Sequence, residues 1–182
     1  MPGAYALFAT SIGICGLAWS DRGVTSVQLP EASEDRTRAR IRERSSEAHE
    51  STPPPAIADA IAGIVALLAG RQNDLTGVVL DTDEVPAFHR RVYEIARTIA
   101  PGQTRTYGEI AAALGDPGAA RAVGQALGDN PFPIVVPCHR VLAAAGKPGG
   151  FSAYGGRATK RQLLVIEGAI PAQGQLFPNG GQ

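Results

Sequence analysis

The sequence predicts an α+β fold: a small N-terminal α/β domain with an antiparallel sheet, followed by a mainly helical, winged-helix-like C-terminal domain. Two patterns support this division. The first thirty residues form short runs rich in β-branched and aromatic side chains, whereas residues 88–99 repeat apolar side chains at helical spacing. The polar stretch at 81–84 separates the two patterns. We therefore predict domains at 1–84 and 85–170, and a flexible tail at 171–182.

The composition is that of a globular chain. Its 182 residues are 44% hydrophobic and 19% charged, which excludes a largely disordered protein. No apolar run reaches the ~18 residues that span a bilayer, and no charged segment precedes the apolar N-terminal stretch, so we expect neither a membrane span nor a signal peptide. The two cysteines, Cys15 and Cys138, cannot form a disulfide framework. Such cysteine usage is typical of a reducing cytosol, so we expect a cytoplasmic protein.

The N-terminal domain begins with three predicted strands, joined by turn-forming residues, at 5–9, 12–19 and 24–29. Residues 33–55 are predominantly polar. Up to residue 49 they fit either a solvated helix capped by Ser33 or a mobile loop. Three prolines at 53–55 then make a stiff connector.

A core helix is predicted at 56–69, where four apolar residues recur at spacings of four, three and four: Ile57, Ile61, Ile64 and Leu68. Gly70 ends this helix. The apolar run at 75–80 is predicted to add a further strand.

The C-terminal domain opens with a helix that has Pro86 in its first turn and the same apolar spacing at Phe88, Val92, Ile95 and Ile99. Two short helices follow at 107–114 and 117–127, separated by a Gly-Asp pair. A short helix, a tight turn and a second helix of small residues fit a helix-turn-helix, although other helical hairpins give the same pattern.

Charge is unevenly distributed along the neutral chain. Residues 1–85 carry 7 basic and 12 acidic side chains, whereas residues 86–182 carry 10 and 5. A basic C-terminal half is suited to an anion, nucleic acid included, but a chance partition gives the same numbers.

The most unusual segment, at 130–141, contains three prolines around an apolar run that reads as a strand and leads to Cys138. Pro137 stiffens the backbone before the thiol, while His139 and Arg140 follow it. We expect a thiol in such surroundings to ionise below its free pKa of roughly 8.5. The alternative is a buried structural cysteine, since adjacent side chains on a strand point to opposite faces.

Several segments in this region resemble the O6-alkylguanine-DNA alkyltransferases, the methylated-DNA–protein-cysteine methyltransferases. PCHRV at 137–141 is similar to the active-site signature of that family. Four further segments follow the family's order and are similar to its two helix-turn-helix helices, its asparagine hinge and its closing helix: TYGEIA at 106–111, AARAVG at 119–124, GDNP at 128–131 and LLVIEG at 163–168. The resemblance covers about residues 86–170, whereas the N-terminal part agrees only in layout and length.

The resemblance implies a DNA repair protein. Such a methylated-DNA–[protein]-cysteine S-methyltransferase binds double-stranded DNA, flips O6-alkylguanine out of the stack and transfers the alkyl group irreversibly to Cys138, once per molecule. It leaves activity on O4-alkylthymine open. It further implies no cofactor. Some members of the family hold a structural zinc, but Cys15, His49 and His89 have no zinc-ligand spacing, so we predict no metal. We expect a monomer with no membrane partner.

The resemblance also assigns roles to single residues. His139 accepts the thiol proton through a water, Glu167 orients the imidazole, Tyr107 donates to the guanine, and Asn130 ties the hinge, whereas Arg140 is structural. The DNA-binding set comprises Arg121, which fills the space of the flipped base, with Thr106, Ala119, Ala120, Ala122 and Gly124. The backbone carbonyls of Cys138 and Val141 accept from the guanine amine. The substrate pocket comprises Pro133, Val141, Ser152, Ala153, Tyr154 and Gly155.

One position departs from the family pattern. Many relatives have Tyr where Ala153 stands, whereas this chain has Tyr154 one place later, so either a wall is missing or Tyr154 replaces it from a shifted loop. Two other functions fit parts of the sequence. A non-catalytic alkylguanine sensor of the same fold has Trp in place of the cysteine, and a thiol hydrolase would use Cys138, His139 and Glu167 without needing a helix-turn-helix.

Overall fold

The computed structural model describes residues 3–45 and 47–172; residues 173–182 of the predicted tail lie outside the described residues. The N-terminal sheet has strand order β3-β2-β1-β4, with antiparallel pairing except between β1 and the short β4. The three predicted strands are confirmed, within one or two residues. They are β1 Ala4–Thr10, β2 Gly13–Ser20 and β3 Gly23–Gln28, and the fourth strand of the sheet is β4 His49–Glu50.

The polar segment after the sheet is a helix rather than a loop. It forms α1, Glu34–Arg44, and the Ser33 hydroxyl accepts a hydrogen bond from the Arg36 amide at 3.3 Å, as predicted for the cap. Ile41 is completely buried, so a single apolar side chain suffices to anchor this helix on the sheet. The predicted core helix is also present, as α2, Pro55–Leu68.

The predicted strand at 75–80 is wrong. Only Leu80 forms a bridge, with Val24, and the preceding residues form turns. One guanidinium nitrogen of Arg97 donates to the carbonyls of Leu75, Thr76 and Val78 at 2.8–3.0 Å. A side chain therefore satisfies these three acceptors in place of a neighbouring strand, and of the described residues 75–81 only Val79 and Asp81 hydrogen-bond to β3, at Val24.

The C-terminal part contains four helices and one two-stranded parallel sheet: α3 Ala87–Arg97, β5 Arg105–Thr106, α4 Tyr107–Ala113, α5 Ala120–Gly128, β6 Val141–Leu142 and α6 Arg157–Ile166. Pro86 is the N-cap of α3 rather than its first residue. The predicted helix at 117–127 divides into a 3-10 turn, Pro117–Ala119, and α5, so α4 and α5 form the expected pair.

The strand read into residues 130–141 is replaced by turns and a 3-10 turn at Cys138–Arg140. Ile134, a buried β-branched residue, has a φ of 75°. This left-handed conformation is costly for such a residue and bends the chain just before the cysteine. As a result, Cys138, His139 and Arg140 project in directions that a strand would not allow.

The two parts of the chain share one continuous core. The Tyr93 hydroxyl of α3 donates to the Ala126 carbonyl of α5 at 2.9 Å, which fixes the helix-turn-helix on α3. The Val27 amide of β3 donates to the Pro131 carbonyl at 2.8 Å and connects the N-terminal sheet to the loop before the cysteine. Within the described ranges, no helix is long and apolar enough to cross a membrane.

Candidate active site

Asn130 holds the turn that leads to Cys138. Its side-chain oxygen accepts from the Phe132 amide and its amide donates to the Val136 carbonyl, both at 2.9 Å. The Val136 carbonyl also accepts from the Cys138 amide at 2.8 Å. One buried asparagine thereby fixes both ends of the turn and the backbone of the cysteine, which supports the hinge role predicted for it.

A buried cluster of charged and polar side chains stands behind the cysteine. Glu167, at the end of α6, accepts two hydrogen bonds from Arg140 at 2.7 and 2.8 Å and pairs with His139 Nε2 at 2.9 Å. Arg140 also donates to the Ile99 carbonyl at 2.6 Å. All three side chains are at most 3% exposed, so His139 does not face solvent.

The cluster sets the protonation of its members. Burial raises the pKa of Glu167, but the hydrogen bonds from Arg140 and His139 outweigh it and bring this pKa to about 2. The pKa of His139 is lowered, chiefly by burial, with Glu167 opposing and the Arg140 cation adding to the effect. Near neutral pH the site therefore presents an ionised Glu167 and a neutral His139. The Nδ1 atom of His139 is buried and has no hydrogen-bond partner among the described residues, so it can take up a proton.

The Cys138 thiol has a raised pKa, contrary to the sequence-based expectation, because the effect of burial dominates. The Asn130 side chain, the Lys160 cation and nearby backbone amides oppose this shift. The thiol is therefore protonated in the resting protein. Ionisation during a reaction requires a base, and neutral His139 is the adjacent candidate.

Lys160 is an active-site residue that the sequence analysis missed. Its ammonium group is buried, donates to the Val141 carbonyl at 2.6 Å, and lies 5.9 Å from the centre of the Tyr107 ring. Burial lowers its pKa to about 8, whereas Cys138 acts in the opposite direction. A signal was available: Lys160 is one of only two lysines in the chain and shares a helical face with Leu163, Leu164 and Glu167.

Cys138 opens onto a cavity of about 550 Å³, the outer cavity, which is lined by Tyr107, Ala120, Arg121, Gly124, Cys138 and Phe151, among others. Helix α5 and Cys138 thus line the same cavity. A Cβ at Gly124 would lie 3.8 Å from the Tyr107 ring, an ordinary van der Waals contact, so the glycine widens the cavity without being required by packing. The pKa of Tyr107 is raised, first by burial and then by Cys138.

A second, smaller space is also lined by Cys138. This inner chamber, about 40 Å³, is lined by residues of both parts of the chain, among them Gln28, Arg44, Pro133, Cys138 and Ala153. Phe151 and Ser152 line both spaces. The structure therefore places three predicted pocket residues, Pro133, Ser152 and Ala153, at the thiol.

The other predicted pocket residues lie elsewhere. Val141 is fully buried, and its carbonyl already accepts from Lys160. Tyr154 is 56% exposed and Gly155 packs on Thr159, so neither lines the outer cavity or the inner chamber. Tyr154 therefore does not replace the aromatic wall; Phe151 provides it. The sequence offered only a weak signal for Phe151, because it is one of two aromatic residues, with Tyr154, in a glycine-rich loop.

The residues of the predicted DNA-binding set differ in their exposure and in their local contacts. Arg121 and Ala122 are exposed on α5, while Ala119 and Ala120 are half-buried and pack on the core. The Thr106 hydroxyl accepts from the Glu109 amide at 3.1 Å, and Glu109 in turn accepts from the Thr106 amide at 2.6 Å. Thr106 is thus the N-cap of α4, in a capping box.

A helix-turn-helix whose second helix shares a cavity with a cysteine, backed by a buried His–Glu–Arg cluster, defines a class: DNA-binding proteins with a nucleophilic thiol. A family model described as "6-O-methylguanine DNA methyltransferase, DNA binding domain" matches residues 87–169. The chain is 39% identical over 164 residues to the methylated-DNA–protein-cysteine methyltransferase of Mycolicibacterium paratuberculosis, covering 90% of this chain and 91% of the relative. It belongs to the methylated-DNA–protein-cysteine methyltransferase family.

Two further similarities agree with this assignment. The protein of the same name from Methanothermobacter thermautotrophicus is 37% identical over 160 residues, which cover 88% of this chain and 82% of the relative. The crystal structure of Mycobacterium tuberculosis OGT in complex with DNA has a TM-score of 0.73 at 36% identity, covering 91% of this chain and 93% of that one.

Proposed function

We propose that this chain repairs O6-alkylguanine in double-stranded DNA by transferring the alkyl group to its own Cys138. Each molecule reacts once, because the product is a thioether that no group in the site can cleave. The observation that carries the proposal is the position of Cys138. Cys138 lines the outer cavity next to α5, and the residue that follows it, His139, belongs to the buried cluster with Glu167.

The reaction is a displacement at the alkyl carbon. His139 takes the thiol proton, through a water, at the nitrogen that Glu167 leaves unpaired, and Glu167 stabilises the imidazolium that forms. The Cys138 sulfur then forms a bond to the alkyl carbon while the bond from that carbon to guanine O6 breaks. The electron pair of the broken bond stays with guanine.

Two groups are placed to stabilise the departing guanine. Tyr107 lines the outer cavity, and its raised pKa keeps the hydroxyl protonated as a donor. The Lys160 ammonium lies above the ring of the same tyrosine, where its charge favours both the thiolate and the leaving anion. Lys160 also fixes the carbonyl of Val141, which is the group expected to accept from the guanine amine.

Access to the thiol requires an extrahelical base, since a stacked guanine cannot enter a cavity within the protein. Arg121 is exposed at the rim of the outer cavity and is suited to occupy the space that the flipped base leaves. The small side chains around it allow close approach of a DNA groove. We infer that one monomer acts on one lesion, because one chain contains the complete site.

The test is a transfer assay with a duplex that contains O6-methylguanine. We expect the protein mass to increase by one CH2 group, the increase to map to the peptide with Cys138, and the yield to stop at one equivalent. The same duplex with unmodified guanine is the control. Repeated turnover, or a methyl group on another residue, would contradict the proposal.

A further inference from the structure

The inner chamber combines parts of the molecule that are far apart in sequence. Its lining includes Pro133, Cys138 and Ala153 of the active-site part, together with the end of β3 and two arginines of α1. Ala153 contributes only a methyl group to its wall. An alkyl group that extends beyond the carbon attacked by Cys138 has this space available next to the thiol. With about 40 Å³, the chamber is large enough for one small polar group.

Gln28 lines this chamber, and its side chain has an unpaired acceptor. The residue is 5% exposed, and its side-chain amide donates to the Leu29 carbonyl at 2.9 Å and to Glu31 at 3.1 Å. Both partners are acceptors, so the nitrogen must face them and the oxygen must face away. That oxygen, Oε1, is buried and receives no hydrogen bond from any described residue. Such an atom takes a donor from water or from a ligand.

Two guanidinium groups, which are hydrogen-bond donors, line the same chamber. Arg40 and Arg44, one turn apart on α1, both line the chamber. Burial lowers the pKa of the Arg44 guanidinium, and the Arg40 cation lowers it further, whereas Glu31 opposes both. Arg40 pairs with Glu43 on the exposed side of the helix at 2.9 Å. The chamber therefore offers one acceptor and guanidinium donors to the same small group.

We propose that the inner chamber selects O6-alkyl groups that end in a hydroxyl, such as 2-hydroxyethyl, with Gln28 and Arg44 as the specificity-determining residues. This inference rests on the proposed function. A hydroxyl both donates, to Gln28 Oε1, and accepts, from Arg44, so it satisfies both sides. A carboxylate has no proton for Gln28 and meets Glu31, and an ammonium meets two arginines. An apolar end displaces water from Gln28 without replacing its hydrogen bond.

The test compares two duplex substrates of nearly equal size, one with O6-(2-hydroxyethyl)guanine and one with O6-propylguanine. The measured quantity is the ratio of their transfer rate constants. Differences in intrinsic reactivity cancel when ratios of protein variants are compared. Gln28→Leu removes the acceptor and keeps the volume, and we expect it to lower the ratio about tenfold, the effect of one hydrogen bond. Partial unfolding scales both rate constants equally and leaves the ratio unchanged.

Two further variants complete the design. Ser26→Ala is the matched control: Ser26 lies two residues earlier on β3 and has another buried, unpartnered oxygen, but it lies outside the chamber. Its ratio should equal that of the unsubstituted chain. Arg44→Gln, on the surface of α1, probes the donor without disturbing the sheet and should lower the ratio about threefold. It also decides the question if Gln28→Leu does not fold.

The outcomes separate this inference from the proposed function. Methyl transfer by the unsubstituted chain is measured in parallel. If methyl transfer fails, the proposed function is overturned. If methyl transfer proceeds and the ratio is the same in Gln28→Leu, Arg44→Gln and Ser26→Ala, only the selection by the inner chamber is overturned. A ratio that falls equally in Ser26→Ala would also overturn it.

Discussion

The two cysteines of the chain occupy regions of opposite character. Cys15 lies on β2, is completely inaccessible, and has the Thr10 hydroxyl 3.8 Å away as its polar neighbour. Burial raises its pKa to about 12. Cys138 is partly exposed, lies between two spaces that a ligand can enter, and is followed directly by a histidine. Burial raises its pKa as well, but Asn130 and Lys160 oppose the shift.

The difference shows that burial does not decide the reactivity of a thiol by itself. Both regions disfavour the thiolate, yet only the second provides a base, a cation and an entrance. The ion pairs differ in the same way. Arg38 and Glu50 of the N-terminal part pair at the surface, whereas Arg140, His139 and Glu167 are almost fully removed from solvent. Replacing a charge of the surface pair should therefore cost little stability, whereas replacing a charge of the buried cluster should cost much more.

The largest expected effect is on alkyl transfer itself. Cys138→Ser should abolish transfer from O6-methylguanine duplex while DNA binding persists, because a hydroxyl is a far weaker nucleophile than a thiolate. Cys15→Ala should keep full transfer and lose about 1 kcal/mol of unfolding free energy through the missing sulfur. Mass spectrometry of the reacted proteins and a DNA-binding titration measure both. If transfer survives in Cys138→Ser, or disappears in Cys15→Ala, Cys138 is not the reactive cysteine that the comparison predicts.

The next effect contrasts the two kinds of ion pair. Glu167→Gln leaves Arg140 buried without a counter-charge and should lower the free energy of unfolding by about 3–5 kcal/mol. Glu50→Gln, at the surface, should lower it by about 0–1 kcal/mol. Urea denaturation at neutral pH gives both values. If both variants lose the same free energy of unfolding, the buried ion pairs contribute no more to stability than the surface pair.

Acid should remove the stability that the same cluster contributes, without a mutation. The pKa of Glu167 is about 2 in the folded chain, below its ordinary value of 4.5, so its contribution to stability is complete above pH 4.5 and is lost as the pH falls toward 2. The loss amounts to about 3 kcal/mol. Urea denaturation at a series of pH values between 6 and 2.5 measures it. In Glu167→Gln the free energy of unfolding should fall by this much less over the same pH range. If both proteins lose the same free energy, the lowered pKa of Glu167 is contradicted.

The smallest predicted effect is at the DNA surface. Arg121→Ala should slow transfer from duplex about tenfold, by removing the group that fills the space of the flipped base, and should change transfer from free O6-benzylguanine much less. Arg90→Ala removes the same charge from the exposed surface of α3, outside the outer cavity, and serves as the control. Equal losses on duplex and free base would remove the flipping role from Arg121.

Much of the fold could be predicted because it depends on local patterns. The three strands, the core helix at 56–69 and the pair of helices before the cysteine follow from periodicity and turn residues. The apolar run at 75–80 was misread because the Arg97 side chain, about twenty residues away, satisfies its carbonyls. The strand read into 130–141 failed because Asn130 and a left-handed Ile134 impose turns.

The sequence by itself determined the cysteine, its histidine neighbour, the helix-turn-helix and the family, since each lies within a short contiguous motif. Only the tertiary structure decided what surrounds them. Arg140 and Glu167, 27 residues apart, meet behind the thiol, Lys160 reaches the Tyr107 ring, and Gln28 of the first sheet faces the chamber at Cys138. The physical reason is that protonation depends on burial and on neighbouring charges, which the folded chain brings together from distant positions.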